Sequence, residues 1–145
     1  MALQNDLYRF VSAQQTSYRQ ALAEIQNGRK VTHWMWFIFP QLQGLGHSAT
    51  SQYYAIRSLD EARAYLQDPY LGGNLLEISR ALLALDTNDP VQVFGRPDDR
   101  KLCSSMTLFA CASPECTVFS QVLQKYFGGR KDRRTLRMLG IGDDA

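Results

Sequence analysis

Residues 5–28 read NDLYRFVSAQQTSYRQALAEIQNG, and their periodicity sets the architecture of the whole chain. Apolar side chains recur there every three or four positions, at Leu7, Phe10, Val11, Tyr18, Ala21, Leu22 and Ile25. This period places them in one buried stripe of an α-helix. Asn5 can cap the start of the helix, and Asn27 with Gly28 can supply a left-handed end. The segment predicts a long amphipathic helix.

Capping residues predict two further helices. Ser58 and Glu61 have the spacing of a capping box, which predicts a short helix to about Gln67. Asp68 followed by Pro69 predicts the next start, because aspartate caps a helix and proline fits its first turn. The inward face of that helix is predicted at Leu71, Leu75, Ile78, Leu82 and Leu85. Gly72 and Gly73 are expected to weaken its first turn.

The same start signals recur in the second half of the chain. Asp89-Pro90 predicts a short helical turn ending at Gly95, and Ser113-Pro114-Glu115 predicts the start of a helix that carries Val118 to Phe127. Helical spacing between them begins at about Pro97 and includes Leu102, Met106, Phe109 and Ala110. Sustained alternation of apolar and polar residues is not found. The sequence therefore predicts an all-α, single compact multihelical domain with short connections.

One irregular aromatic and glycine-rich segment interrupts this pattern at residues 33–48, HWMWFIFPQLQGLGHS. Its apolar run is continuous, so periodicity does not distinguish a buried helical turn from a strand. Pro40 interrupts the run, and Gly44 and Gly46 permit a tight loop. Ser48 then predicts the cap of a helix that runs to about Ile56. The loop is the stretch where function is most expected.

Size and composition fit one domain. The chain has 145 residues, 45% of them hydrophobic and 21% charged, which is unlike a disordered segment. We expect a single domain over residues 1–145, with a core at about 5–140 and a short flexible C-terminal tail. No apolar run approaches the roughly 20 residues that span a bilayer, and no signal-peptide pattern opens the chain. These features predict a cytoplasmic protein without membrane association.

Cysteine spacing and charge argue against two other classes of site. Cys103, Cys111 and Cys116 lack the Cys-x-x-Cys and histidine partners of zinc sites, so we expect free thiols and no metal. Residues 96–145 hold nine basic and six acidic side chains, with a cluster at Arg130, Lys131, Arg133, Arg134 and Arg137. If Leu136 and Leu139 form the buried face of a short helix, the arginines lie on its opposite face, in contact with water. Without stacking aromatics, nucleic-acid binding is not expected.

Two blocks of the chain resemble the motifs of a bacterial family. The first block is His33-Trp34-Met35-Trp36-Phe37-Ile38-Phe39-Pro40-Gln41 with Gly44-Leu45-Gly46, Ser48 and Tyr54-Ala55-Ile56. The second is Phe94-Gly95, Pro97-Asp98, Lys101 and Ser104-Ser105-Met106-Thr107-Leu108-Phe109. Together with the EARAYL segment between them, the match extends over about residues 5–140.

The chain is therefore identified as similar to the family catalogued as domain of unknown function 1810. The resemblance implies a multihelical fold, with no established activity, cofactor or catalytic residue. His47 stands where a basic residue such as arginine is expected. The family sometimes carries a calpastatin label, but a calpain inhibitor of that name is a disordered repeat protein, whereas this composition is that of a packed globule.

The first motif combines two indoles with a glutamine and a glycine loop. Trp34 or Trp36 can stack on a planar base, while Gln41 bonds its edge and loop N–H groups approach a phosphate or ribose. The alternative is that the aromatic run is simply core. His33 or His47 could act as a general acid or base, but a lone histidine in an aromatic run is more often a structural residue. The candidate ligand-binding residues across both motifs are Trp34, Trp36, Gln41, His47, Ser48, Tyr54, Lys101, Ser104 and Ser105.

The second motif places Asp98, Lys101 and Ser105 three and four positions apart, on one helical face. Lys101 can hold an anionic group there, with Ser105 or Thr107 donating to it. The candidate catalytic residues are Asp98, Lys101 and Ser105. Lys101 could act as the base for a Ser105 nucleophile, or Asp98 could be the carboxylate of glycosidic hydrolysis. The alternative is an Asp98–Lys101 ion pair and a serine bonded to its own backbone.

Two functions remain open at this point. In the first, both motifs form one pocket for a nucleotide-like or ADP-ribose-like ligand, and Trp34, Gln41, Ser48, Lys101 and Ser105 line a common cleft. In the second, the chain is a non-catalytic interaction or adaptor module that contacts its partner through the basic end. The sequence predicts no cofactor and leaves the oligomeric state open.

Overall fold

The computed structural model describes the backbone of residues 2–142 and the side chains of residues 7–142. Within that range the chain is all-α and has no strand, which confirms the predicted fold class. Nine helices are described: α1 (Ala2–Gln26), α2 (Met35–Ile38), α3 (Ala49–Tyr53), α4 (Leu59–Gln67), α5 (Pro69–Ala84), α6 (Pro90–Phe94), α7 (Asp98–Ala112), α8 (Val118–Phe127) and α9 (Arg133–Met138). The predicted C-terminal tail follows residue 140, and residues 143–145 of it lie outside the described part.

Helix α1 supplies one wall of the core. Its predicted stripe is buried at Leu7, Phe10, Tyr18, Ala21 and Ile25, and it packs against α2, α4 and α5. The helix ends as predicted, with Gly28 in the left-handed region at φ 83°. Its start at Ala2 precedes the predicted start at Asn5, whose side chain lies outside the described residues. No described helix is both long and apolar enough to cross a bilayer.

The predicted caps of α4 and α5 are present. The Ser58 hydroxyl accepts from the Glu61 N–H at 3.1 Å, and one Asp68 oxygen accepts from the N–H groups of Tyr70 and Leu71 at 3.0 Å. The return bond of the box differs from the sequence rule, because the Glu61 carboxylate accepts from the N–H of Arg57 at 2.9 Å. The same Glu61 oxygen also accepts from the Arg9 guanidinium of α1 at 3.1 Å.

Gly72 is required by the packing of α5 against the end of α4. A Cβ built on Gly72 would lie 2.1 Å from the carbonyl oxygen of Leu66, whereas a Cβ on Gly73 would meet nothing within 4 Å. The expectation that both glycines weaken the helix is thus incomplete, because Gly72 allows the two helices to approach closely. Of the two glycines, Gly73 is the one that the packing does not require, so it is expected only to weaken the helix.

We expect the two glycines to respond to alanine with opposite signs. Gly72→Ala should lower the free energy of unfolding by about 1–3 kcal/mol, because the methyl group meets backbone that must shift. Gly73→Ala should raise it by about 0.5–1 kcal/mol, because alanine is the better helix former. Urea unfolding of both variants measures the difference. Equal effects of the two substitutions would contradict the proposed close approach of α4 and α5.

Helix α7 runs through the centre, between α4, α6, α8 and α9. The predicted start of α8 at Ser113-Pro114-Glu115 is wrong, since these residues form a turn and the helix begins at Val118. The Lys125 ammonium donates to the carbonyls of Leu83 and Leu85 and so closes the end of α5. At the C-terminal end, Asp132 caps the short basic helix α9.

The irregular segment predicted at residues 33–48 consists of one helical turn, α2, followed by a loop. After α2 the chain pairs with residues that follow α3: the Ile56 N–H donates to the Gln41 carbonyl at 2.8 Å, and the Gln43 N–H donates to the Ile56 carbonyl at 2.7 Å. Ser48 caps α3 as predicted, but the helix ends at Tyr53 and stops short of Ile56. The glycine loop is therefore held at both ends.

Candidate functional site

A half-buried carboxylate with two ammonium partners forms the centre of the candidate site. The two oxygens of Asp98, at the start of α7, lie 2.9 Å from Lys30 Nζ and 3.0 Å from Lys101 Nζ. Burial of Asp98 raises its pKa, but the hydrogen bonds to Lys30 and Lys101 outweigh burial and hold it below its usual range. The carboxylate is thus ionised at neutral pH, and the cluster of two positive charges and one negative has a net charge of +1.

Two tryptophans of the first motif lie beside these lysines. The Lys101 ammonium is 4.2 Å from the centre of the Trp36 ring, and the Lys30 ammonium is 5.1 Å from that of Trp34. Trp36 is half-buried, whereas Trp34 is only 2% exposed. Gly46 allows the loop to approach Trp36, because a Cβ there would lie 3.0 Å from the edge of the indole.

A cleft of about 150 Å³ opens between the two motifs. It is lined by Lys30, His33, Trp34, Met35, Trp36, Phe37, Thr50, Asp98 and Lys101. Residues 30–37 form one side, the first turn of α7 forms another, and Thr50 of α3 lies at the edge. The cleft thus joins segments that are about 60 positions apart in the sequence.

Glu24 positions the segment that carries most of the lining. Its carboxylate is buried and accepts from the N–H groups of Val31 at 2.7 Å and Thr32 at 3.0 Å. It also accepts from the Thr32 hydroxyl at 2.6 Å and from the Trp34 indole at 2.9 Å. Burial raises the pKa of Glu24, but hydrogen bonds from Thr32, Val31 and Gln20 outweigh it and lower the pKa to about 2.

Of the predicted site residues, Trp34, Trp36, Asp98 and Lys101 line the cleft. Trp34 presents little surface, because its indole N–H is bonded to Glu24. Tyr54 lies behind the cleft, with its ring 5.1 Å from that of Phe37. Among the five residues expected to share one cleft, only Trp34 and Lys101 do so.

The other predicted residues lie away from the cleft. Gln41 and Ser105 are buried, and neither Gln41 Nε2 nor Ser105 Oγ has a hydrogen-bond partner among the described residues. Ser104 donates to the Arg100 carbonyl at 3.2 Å. Ser48 and His47 are exposed, and the Ser48 hydroxyl serves as the cap of α3. Lys101 is engaged with Asp98, in the arrangement that the ion-pair alternative described.

Sequence reasoning missed Lys30, Thr50 and Glu24. Lys30 and Thr50 follow turns whose course the sequence pattern does not reveal. Glu24 carried a usable signal, since it lies beside Ala21 and Ile25 on the buried stripe of α1 and an ionised residue there needs partners. Among the described residues, no group of three or more His, Cys, Asp or Glu side chains is placed to hold a metal ion.

Comparison with known proteins agrees with the sequence motifs. The model of the family described as "Protein of unknown function (DUF1810)" matches residues 4–139. The chain is also similar to the crystal structure of the conserved hypothetical protein Rv1873 from Mycobacterium tuberculosis, with 49% identity and a TM-score of 0.91. That similarity covers 94% of this chain and 98% of the mycobacterial one. No curated protein matches the chain. On this evidence the chain belongs to the DUF1810 family of proteins of unknown function.

Proposed function

We propose that this protein is a small-molecule-binding domain whose cleft takes a nucleotide-like anion. One observation carries the proposal: Lys101 lies 4.2 Å from the Trp36 ring and 3.0 Å from Asp98, so a cation, an aromatic face and a carboxylate meet in one cleft. Pockets with an aromatic wall and a few convergent polar groups are the usual form of ligand sites.

The charge of the cleft selects the charge of the ligand. Asp98 is already paired with both ammonium groups, and the net charge of +1 remains for a bound group to neutralise. Lys101 is 22% exposed at its side chain, whereas Lys30 is 8% exposed. Lys101 is therefore the cation that meets solvent, and a ligand phosphate would bind there first.

The aromatic side of the cleft favours a ligand with a flat ring. Trp36 is half-buried, so part of its indole is available to a flat ring, and a base stacked on an aromatic side chain gains about 1–3 kcal/mol. The cleft of about 150 Å³ is smaller than the roughly 300 Å³ at which drug-sized pockets begin. It would enclose one part of a nucleotide and leave the rest along the surface.

The proposal is for binding, because the geometry gives glycosidic hydrolysis little support. An acid catalyst at neutral pH needs a raised pKa, and the two ammonium groups lower that of Asp98. The alternative nucleophile, Ser105, is fully buried. Asp98 is therefore unsuited to the role of acid, both of its oxygens are bound by ammonium groups, and Ser105 is not presented to a ligand.

Thermal-shift measurements against nucleotides, NAD, ADP-ribose and sugar phosphates test the proposal. A ligand present at about 100 times its Kd should stabilise the native protein by about 2.7 kcal/mol. We expect at least one nucleotide to raise the Tm of the wild type, and Trp36→Ala and Lys101→Met to abolish the increase. Arg80→Gln, which removes an exposed positive charge on α5, serves as the control and should retain it.

Two outcomes would contradict a nucleotide site. One is the absence of stabilisation by every compound, and the other is stabilisation that survives in both cleft variants. Either result would favour the non-catalytic interaction module, for which the exposed arginines Arg130, Arg133 and Arg137 supply the charged surface. Loss of the shift in both variants would support a single site formed by the two motifs.

A further inference from the structure

We propose that Arg134 and the glycine loop bind a second phosphate, so that the ligand class is a nucleoside diphosphate or a larger molecule built on one. This inference rests on the proposed nucleotide site and names the chemistry of its ligand. It is carried by the contacts that join α9 to the loop of residues 44–47, next to Trp36.

The loop bridges the cleft and the basic helix. On one side, Arg134 Nη2 donates to the Gly44 carbonyl at 3.3 Å, and a Cβ on Gly44 would lie 2.5 Å from the methyl group of Met138. On the other side, a Cβ on Gly46 would lie 3.0 Å from the Trp36 indole. The two glycines are two peptide steps apart, at most about 7.6 Å. These contacts and peptide steps place the guanidinium no more than about 18 Å from the indole.

Arg134 is suited to a phosphate at that distance. Its side chain is exposed, and only one of the five guanidinium N–H groups is used in the bond to Gly44. Arginine binds phosphate in a bidentate manner, which a lysine does not match. The neighbouring Arg133 and Arg137 are exposed as well, and in the described part of the chain neither forms a hydrogen bond to the loop.

The loop itself offers further donors. Among the described residues, the backbone N–H groups of Gly44, Gly46 and His47 donate to no backbone carbonyl. The N–H of Leu45 between them donates to the Leu42 carbonyl, so only those of Gly46 and His47 are successive. Successive free N–H groups in a turn can bind an anion. A ligand whose base and first phosphate occupy the cleft would extend its second phosphate along this exposed loop toward Arg134.

Isothermal titration of the full chain with the four nucleoside monophosphates and their diphosphates tests the inference. For the base that binds best, we expect the diphosphate to bind the wild type at least tenfold more tightly than the monophosphate. Arg134→Gln should remove this margin and leave the affinity for the monophosphate unchanged. Arg133→Gln removes the same charge from the same helix and should preserve the margin.

The outcomes separate this inference from the proposed function. Monophosphate binding that depends on Lys101, without a diphosphate margin or with a margin that survives in Arg134→Gln, would overturn the second phosphate site alone. If no nucleotide binds, or binding does not depend on Lys101, the proposed function fails and this inference fails with it. Equal losses in Arg133→Gln and Arg134→Gln would also overturn it, because general charge would then explain the effect.

Discussion

Replacement of Glu24 by alanine is expected to lower the free energy of unfolding by about 3–5 kcal/mol. The substitution removes the acceptor for the Trp34 indole N–H, which is buried. A buried donor left unpaired costs about 1–3 kcal/mol, and hydrogen bonds to a charged group contribute about 1.5–3 kcal/mol. Urea unfolding monitored by tryptophan fluorescence measures the loss.

Glutamine has nearly the same volume as glutamate but no charge, so Glu24→Gln tests the contribution of the charge alone. The three groups around one Glu24 oxygen can only donate, whereas the Thr32 hydroxyl and the Gln20 amide at the other oxygen can also accept. Glu24→Gln should therefore cost about 1–2 kcal/mol, less than Glu24→Ala. Gln20→Ala is the matched control, because it removes one exposed partner and leaves the rest. Its effect should stay within about 0.5 kcal/mol. A Glu24→Ala protein within 1 kcal/mol of wild type would contradict the positioning role.

The pH dependence of this contribution follows from the lowered pKa. Because the folded pKa of about 2 lies below the usual value of 4.5, the stabilisation is fully present above about pH 4.5 and is lost as the pH falls through about 2. Wild type should therefore exceed Glu24→Gln in stability at pH 7, and the difference should shrink on acidification. A difference that is constant from pH 7 to pH 3 would contradict this account.

Local signals predicted most helices, because a cap is a contact between neighbours in sequence. Ser58, Asp68 and Asp89 each accept from a backbone N–H two or three positions ahead, as their spacing required. The start of α8 was misplaced at Ser113-Pro114-Glu115 because that turn resembles a cap in sequence while the helix begins after it. The course of the glycine loop depends on its pairing with Ile56, which no local pattern reveals.

The candidate site was predictable in part for the same reason. The spacing of Asp98 and Lys101 predicted that they share one helical face and could form an ion pair, and the two side chains are paired at 3.0 Å. Ser105 was placed on that face as well, but α7 is surrounded by other helices beyond its first turns, so the same face becomes core one turn later. Lys30 reaches Asp98 only through the turn after α1, and the spacing of residues within a helix contains no information about that approach.

The second large effect is expected at the buried ion pair between α1 and α4. Arg9 Nη2 lies 3.1 Å from Glu61 Oε1, with side-chain exposures of 7% and 1%. The same guanidinium donates to the carbonyls of Tyr53 and Ala55 at 2.7 Å, so it ties the end of α3 to α1. Removal of one partner of such a pair leaves a buried charge uncompensated.

Arg9→Met should therefore lower the free energy of unfolding by about 3–5 kcal/mol, measured by urea unfolding. The variant retains most of the apolar stem but leaves the Glu61 carboxylate without its guanidinium partner. Glu61→Gln should cost less, because the amide oxygen can still accept from Arg57 and Arg9 keeps its two carbonyl acceptors. An Arg9→Met protein as stable as wild type would show that the pair contributes nothing.

The double variant Arg9→Met with Glu61→Gln distinguishes charge from packing. If the cost of Arg9→Met is mainly the stranded carboxylate, neutralising Glu61 should recover part of it, and the two effects should be non-additive by at least about 1 kcal/mol. Additive losses would instead assign the cost to the unpaired carbonyls of Tyr53 and Ala55.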